Sequence, residues 1–435
     1  SCGCCGLSQQ GAQAQCPVDA CTLFPVLFSS SNSYTPHPSL ADVTSDVHKA
    51  VGTLLHGLPF RADRAPGPVL SQNAFSENSI PLYDVNTARD TIHLRDVNAT
   101  KAARRRMVFC PVDHNVGRTV AYCPRAYELA VSRLFSVQGS PHYFEMADST
   151  PMLMDRFHVF GRSMNHVVPF APDAKACLPY AYGLPKQKDL SKMRPIVSFS
   201  QHPNKRLLKV AGKAFSFLLA ELQASQVVDS FSLFTCADFK AKMTSQFPAF
   251  SEASGGDFQV IQGDVKNMYT NVDHSTLERT IRWAVDLATE KLPSKFGILV
   301  KLGNKSIKPM WASSRSHIKF ACSSRCFHHI SLSDLMRVLI FDFQNVFFTV
   351  GDRILQQRLG VPMGSPCSPA LAITLSLCMH AEHLFLAPLD KSKFLGFRYM
   401  DDLLLLCPRG VSFPTIADIY PAPLSLQQEF PVDGR

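Results

Sequence analysis

Two adjacent carboxylates, Asp401 and Asp402, lie between two apolar segments, and this placement constrains the fold more than any other feature. The flanking segments, 394–397 and 403–406, read Phe-Leu-Gly-Phe and Leu-Leu-Leu-Leu, which is typical of two buried strands joined by a turn. Like charges in an apolar setting repel and resist desolvation, so a cation is expected beside them. An Asp-Asp pair on its own is usually only part of the turn of a β-hairpin. Its interpretation as a cation site therefore depends on other motifs.

Asp264 is a third carboxylate, at the end of an apolar strand predicted over 260–265. A hard divalent cation such as Mg²⁺ or Mn²⁺ prefers oxygen ligands and keeps positions for water and substrate phosphates. Three aspartates on two neighbouring strands suit two ions about 3.5 to 4 Å apart, which activate a 3′-hydroxyl and hold a triphosphate. The sequence therefore predicts a two-metal site at Asp264, Asp401 and Asp402.

The predicted elements follow the order strand-helix, hairpin-helix, hairpin, which is an α+β order. Apolar spacing predicts a helix over 207–222, and a capping box at 275–278 predicts the start of another. A proline begins a long apolar helix over 369–386. Segments 341–348 and 353–357 predict a hairpin that precedes this helix.

Composition limits the class of protein and its partners. The 46% hydrophobic content excludes wholesale disorder, and 44 Lys and Arg against 35 Asp and Glu give a net charge of +9 that favours polyanionic partners. Fourteen cysteines, widely scattered beyond Cys21, favour reduced thiols over a disulfide framework. No apolar run approaches the ~20 residues that span a bilayer, and the first residues lack the order of a signal peptide. We expect an intracellular protein with no membrane partner.

Four motifs, taken in order, resemble those of reverse transcriptases. Residues 192–198 resemble the fingers motif of these enzymes. The three palm motifs have counterparts that resemble them at 264–269, 360–369 and 399–402. Each motif alone is a weak or moderate signal, but four in the right order are not expected by chance. The resemblance covers about residues 178–430. It implies a right-hand polymerase fold with fingers and palm, and an RNA-directed DNA polymerase activity.

Finer features are similar to the reverse transcriptases of Penelope-like retroelements, the nearest relatives of telomerase. They are Tyr182-Gly-Leu-Pro-Lys, Asp264-Val-Lys-Asn-Met-Tyr-Thr-Asn, and Phe343-Gln-Asn leading into Gly360-Val-Pro-Met-Gly-Ser-Pro. A telomerase-like cellular enzyme is one alternative, and a truncated remnant that binds nucleic acid without polymerising is another. An RNA-directed RNA polymerase is disfavoured, because those enzymes usually have Gly before the Asp pair and Asp at the sugar gate.

The resemblance also implies roles for individual residues. Asp264 and Asp401 are expected to bind the metal ions, with Asp402 taking a lesser share. The Tyr269 ring is expected beneath the sugar, where it would exclude a ribose 2′-hydroxyl. Other expected nucleotide contacts are Arg194, Lys192, Met363 and Gly364, and expected template or primer contacts are Ser365, Tyr399 and Met400. The residues alone leave other interpretations open. Tyr269 can be a core tyrosine, Arg194 a surface cation, and Gly364 with Ser365 an ordinary loop-to-helix turn.

The domain prediction has four parts. Residues 1–40 are expected to be a disordered tail, and residues 41–177 a mainly helical region of unknown role. The fingers are expected over 178–259 and the palm over 260–435, with an insertion between them and within the palm range at about 293–340. We expect these residues to include neither the thumb nor the GIY-YIG endonuclease that often follows the polymerase in this family. Expected partners are an RNA template, a DNA primer and deoxynucleoside triphosphates, with Mg²⁺ or Mn²⁺ as cofactor, in the nucleus. The sequence identifies no protein partner.

Overall fold

The structure, a computed structural model, describes residues 18–19, 106–113, 115–171, 173–187, 189–266, 268–269, 271–292, 296–303, 307–323, 327–365, 369–409, 411, 416–420, 422 and 424–428. Most of the predicted tail, and the region that follows it up to residue 105, lie outside these residues. The chain divides into two compact units, the first comprising Ser1–Ser132 with Leu184–Arg194 and the second Arg133–Gly183 with Pro195–Arg435. These units do not correspond to the predicted fingers and palm, which stay a prediction.

The described residues form both helices and strands, which confirms the mixed α and β class. The helices are α1 (Pro124–Leu134), α2 (Thr150–Ser163), α3 (Lys205–Ala224), α4 (Cys236–Ala253), α5 (His274–Lys291), α6 (Arg315–Ser323), α7 (Leu332–Gln344) and α8 (Pro369–Leu386). The strands are β1 (Val18–Asp19), β2 (Val108–Val112), β3 (Asn115–Tyr122), β4 (Tyr143–Glu145), β5 (Tyr180–Lys186), β6 (Asp189–Ser198), β7 (Phe258–Lys266), β8 (Ile298–Val300), β9 (Met310–Trp311), β10 (His328–Ile330), β11 (Phe347–Val350), β12 (Arg353–Gln357), β13 (Leu395–Tyr399), β14 (Asp402–Pro408) and β15 (Ser425–Gln428).

The first unit is organised by the antiparallel sheet β1-β3-β2. Side chains that alternate along β2 and β3, such as Cys110 and Val120, form its core, and Leu190 and Met193 of β6 pack against them. The Tyr122 hydroxyl donates a hydrogen bond to the Leu190 carbonyl oxygen at 3.1 Å. The start of β6 is therefore fixed in the first unit by both packing and hydrogen bonding.

In the second unit, helices α3 and α5 pack against each other, and each of them also packs against α7 and α8. The predicted apolar stripe of α3 is confirmed, because Ala211, Phe215 and Leu218 are fully buried. Helix α8 has the predicted bounds, beginning at a proline whose missing N–H would have no partner in a first helical turn. Among the described residues, no helix combines the length and the apolar character needed to cross a bilayer.

Two local predictions were wrong. Helix α5 begins before the predicted capping box, because the Asp273 carboxylate accepts the Thr276 N–H at 2.8 Å and caps the first turn. The predicted strand over 341–348 is helical up to Gln344, and only Phe347–Val350 pairs as β11. The buried positions of α7, which include Leu335, recur with helical spacing that extends into this segment.

A four-stranded antiparallel sheet in the order β13-β14-β7-β15 carries the predicted aspartates. Strands β13 and β14 form the predicted hairpin around the carboxylate pair. Strand β14 pairs with β7 along seven positions, from Asp402 opposite Asp264 to Pro408 opposite Phe258. The apolar runs that enclosed the aspartates in the sequence therefore build the sheet that presents them.

Asp342, on α7, generates a prediction for the pH dependence of stability. Its side chain is buried, and desolvation raises its pKa from 3.8 to about 7. Between about pH 4 and pH 7 the folded chain keeps a proton that the unfolded chain releases, so stability is lost as the pH rises through this window. We expect Asp342→Asn to unfold at a higher urea concentration than wild type at pH 7.5, by a few kcal/mol in free energy, and with little difference at pH 4.

The measurement is urea unfolding of both proteins at several pH values. A difference that does not change between pH 4 and pH 7.5 would contradict the proposed titration of Asp342.

Candidate active site

Asp264 and Asp402 lie directly opposite each other on paired strands. The register of β7 and β14 pairs Asp402 with Asp264 and Leu403 with Gly263. On the hairpin, Tyr399 pairs with Asp402, so Met400 and Asp401 form the turn between β13 and β14. The structure therefore brings all three predicted aspartates to one end of the same sheet.

The hairpin turn holds an uncommon backbone conformation. Met400 has a φ of 57°, in the left-handed region that costs a non-glycine residue about 1–2 kcal/mol. The Val265 N–H donates to the Asp401 carbonyl oxygen at 2.7 Å, which ties the turn to β7 beside Asp264. Tyr399 and Met400 are each 38% exposed, so their side chains remain accessible beside the aspartates.

Lys266 supplies a cation beside the carboxylates. Its ammonium group forms an ion pair with the Asp264 carboxylate, and the two residues share a face of β7 because they are two positions apart. The Asp264 side chain is 19% exposed and that of Lys266 is 44% exposed. A cation is expected here from the repulsion between the carboxylates, but the sequence alone assigns no role to Lys266, although this residue lies within the motif at 264–269.

The donor chemistry at this end of the sheet suits Mg²⁺ or Mn²⁺, because carboxylate oxygens are the ligands that hard divalent cations prefer. Within the described ranges, however, no three His, Cys, Asp or Glu side chains come close enough to hold one ion. Lys266 contacts the Asp264 carboxylate in the structure. The residue types fit the predicted ions, and metal binding stays a prediction.

Tyr269 lies beside the loop that carries the second palm motif. The Val361 N–H donates to the Tyr269 carbonyl oxygen at 2.9 Å, and the Gly360 N–H donates to the Val272 carbonyl oxygen at 2.7 Å. The Tyr269 side chain is half-buried, as are those of Met363 and Ser365. The segment after β7 and the loop over 360–365 therefore hold each other in place.

The backbone conformation at position 364 and its close contact with strand β6 both require glycine. Its φ is +110°, and a Cβ atom would lie 2.6 Å from the Val197 carbonyl oxygen and 3.1 Å from Ile196 Cγ2. The Val197 N–H also donates to the Met363 carbonyl oxygen at 2.8 Å. The close approach seen here is to strand β6, and the expected approach of Gly364 to template or nucleotide stays a prediction.

Arg194 and Lys192 belong to the first unit, whereas the aspartates belong to the second. Arg194 Nε lies 3.2 Å from Asp113 Oδ2 in a half-buried ion pair, which the sequence does not predict because the partners are far apart in the chain. Lys192 Nζ lies 3.4 Å from Asp189 Oδ2, and the Lys192 side chain is 72% exposed. The guanidinium is therefore held in place, and the ammonium is accessible to solvent.

Comparison with known proteins identifies the fold. The structure of telomerase from Candida albicans in complex with a TWJ fragment of telomeric RNA aligns with a TM-score of 0.51 and 15% identity, covering 76% of this chain and 52% of that chain. The chain has a telomerase-like fold. Candida tropicalis telomerase also aligns, both as the apo protein (TM-score 0.48, 11% identity, 77% of this chain and 55% of that chain) and with a TWJ fragment (TM-score 0.49, 11% identity, 76% and 49%).

The chain spans about half the length of these telomerase structures. No family model matches the sequence, and no curated protein matches it. At 15% identity the similarity concerns the fold, so the chemistry has to be argued from this chain's own residues.

The contact between Gly364 and Val197 generates a prediction with a matched control. Gly351 also has a positive φ, +57°, but nothing lies within 4 Å of the position of its Cβ atom. Gly364→Ala should therefore lower the free energy of unfolding by about 1–3 kcal/mol more than Gly351→Ala, because only the first substitution creates a backbone clash. Urea unfolding of both variants measures the difference, and equal losses would contradict the packing role.

Proposed function

We propose that this protein is an RNA-directed DNA polymerase, a reverse transcriptase with a telomerase-like fold. The reaction transfers a nucleotide from a deoxynucleoside triphosphate to the 3′-hydroxyl of a primer paired to an RNA template. The observation that carries the proposal is the register of β7 and β14, which brings Asp264, Asp401 and Asp402 to one end of a sheet. The net charge of +9 supports a polyanionic partner.

The aspartates carry the reaction in this proposal. Asp264 and Asp401, with a lesser share from Asp402, would hold two Mg²⁺ or Mn²⁺ ions, which supply activation of the 3′-hydroxyl and charge neutralisation at the triphosphate. The ion pair between Lys266 and Asp264 is partly exposed, so it is weak enough for the carboxylate to exchange one cation for another.

The remaining predicted residues bind substrate in this proposal. Arg194 presents planar, permanently charged donors to triphosphate oxygens, and the exposed Lys192 assists. Tyr269 contacts the sugar, and Met363 and Gly364 line the nucleotide site. Ser365, Tyr399 and Met400 contact template or primer, which the exposure of the last two supports.

Two biological roles share this chemistry. The fold similarity to telomerase supports a telomerase-like cellular enzyme, the role that it favours more directly. The amino-acid sequences of the motifs around Tyr182, Asp264 and Phe343 support a Penelope-like retroelement instead. A non-polymerising remnant is disfavoured, because the aspartates and Arg194 are all intact.

Substitution of the aspartates tests the reaction centre. Asp264→Asn and Asp401→Asn should each reduce extension of a DNA primer on an RNA template by more than about 10²-fold, because a lost ligand charge removes several kcal/mol of transition-state stabilisation. The matched control is Asp352→Asn, at the exposed turn between β11 and β12, which should extend the primer like wild type. Normal extension by either active-site variant would refute the assignment.

Tyr269 tests the choice of sugar. Tyr269→Ala should raise ribonucleotide incorporation relative to deoxynucleotide incorporation, because exclusion by a ring can discriminate strongly and is lost with the ring. Tyr269→Phe keeps the ring and should keep the wild-type ratio. The measurement is the ratio of kcat/KM for matched deoxynucleotide and ribonucleotide, and an unchanged ratio in active Tyr269→Ala would assign Tyr269 to the core instead.

A further inference from the structure

Arg398 and Glu382 form an ion pair that is completely buried in the second unit. Arg398 lies on β13, Glu382 lies on α8, and both side chains are 0% exposed, with Arg398 Nε 2.5 Å from Glu382 Oε1. Burial opposes both charges, but their mutual attraction outweighs it, so the pKa of Arg398 is raised and that of Glu382 is lowered. Buried ion pairs seldom add net stability over apolar residues of the same volume, so this pair calls for another role.

Glu382 is held from several directions. Its Oε2 accepts hydrogen bonds from the Ser230 hydroxyl at 2.6 Å and from the Phe231 N–H at 3.0 Å, and its Oε1 accepts one from the Tyr420 hydroxyl at 2.6 Å. These bonds leave the carboxylate little freedom to rotate. The guanidinium that binds it is therefore fixed as well.

The same guanidinium reaches the aspartate turn. Arg398 Nη1 donates to the Met400 carbonyl oxygen at 2.9 Å, and this carbonyl belongs to the peptide bond that joins Met400 to Asp401. The peptide group after Asp401 is held by the Val265 N–H at 2.7 Å. Both peptide groups that flank Asp401 are thus fixed, one by Arg398 and the other by the strand that carries Asp264.

We propose that Arg398, oriented by Glu382, is a positioning residue that fixes the backbone of Asp401 relative to Asp264. The left-handed Met400 needs such an external constraint, because the conformation is unfavourable for a residue with a side chain. The catalytic consequence rests on the proposed polymerase function, whereas the effect on the backbone can be measured without any activity.

The main variant is the double substitution Glu382→Gln with Arg398→Met in the full chain. It removes both charges together, so no unpaired charge stays buried, and the amide retains the shape of the carboxylate. Arg398→Lys is the second variant. A guanidinium can donate to Glu382 and to the Met400 carbonyl oxygen at once, whereas a single ammonium group bound to Glu382 cannot also reach that carbonyl oxygen. Tyr420→Phe is the matched control, because it removes a bond to Glu382 and leaves the contact between Arg398 and Met400 in place.

The first measurement is amide hydrogen exchange at Val265, whose N–H binds the Asp401 carbonyl oxygen. Exchange should become about tenfold faster or more in both Arg398 variants, because a loosened turn releases this amide. It should rise much less in Tyr420→Phe, in which Ser230, Phe231 and Arg398 still hold Glu382. The second is primer extension, in which kcat should fall by about 10²-fold in both Arg398 variants with little change in the KM for nucleotide.

Unchanged exchange at Val265 in the Arg398 variants would overturn the inference, as would faster exchange with an unaltered kcat. A wild-type protein that extends no primer would instead refute the proposed function. The exchange at Val265 would then still decide whether Arg398 holds the turn.

Discussion

The pairing of β7 with β14 in one register is the constraint on which the candidate site depends. A slip of one residue would turn every side chain of β7 to the opposite face and separate Asp264 from Asp402. Strand β15 fixes β7 from its other side, with Gln427 opposite Asp264. A Cβ atom on Gly263 would lie 2.8 Å from Leu426 Cδ1 and 3.2 Å from the Gln427 carbonyl oxygen, so β15 packs closely against β7 at this glycine.

Two ion pairs of the second unit differ in burial and therefore in what they can do. The pair between Lys266 and Asp264 is partly exposed, so water screens it and the Lys266 ammonium group can turn away from the carboxylate. The pair between Arg398 and Glu382 is dry, and breaking it would leave an uncompensated buried charge. The exposed pair can rearrange when another cation approaches, whereas the buried pair provides a fixed support.

The sequence was sufficient where local pattern decides the structure. The hairpin around Asp401 and the bounds of α8 followed from apolar runs, a turn and a proline. The start of α5 was misplaced because Asp273 and Ser275 are both plausible caps, and only the formed bond to Thr276 distinguishes them. Asp113 and Glu382 could not be found, because their partners are brought to them only by the tertiary fold. Charge pattern within one segment carries no signal for such pairs.

If Asp264 and Asp401 act together at one reaction centre, as proposed, both carboxylates bind the same metal ion, and anomalous diffraction can detect this. Crystals of the full chain with primer, RNA template and incoming nucleotide would be grown in Mn²⁺. The expected result is an anomalous peak bound by the carboxylates of both Asp264 and Asp401. Two results would contradict the shared reaction centre. In one, Mn²⁺ binds the nucleotide and neither carboxylate is a ligand; in the other, the two carboxylates stay apart and Lys266 remains paired with Asp264.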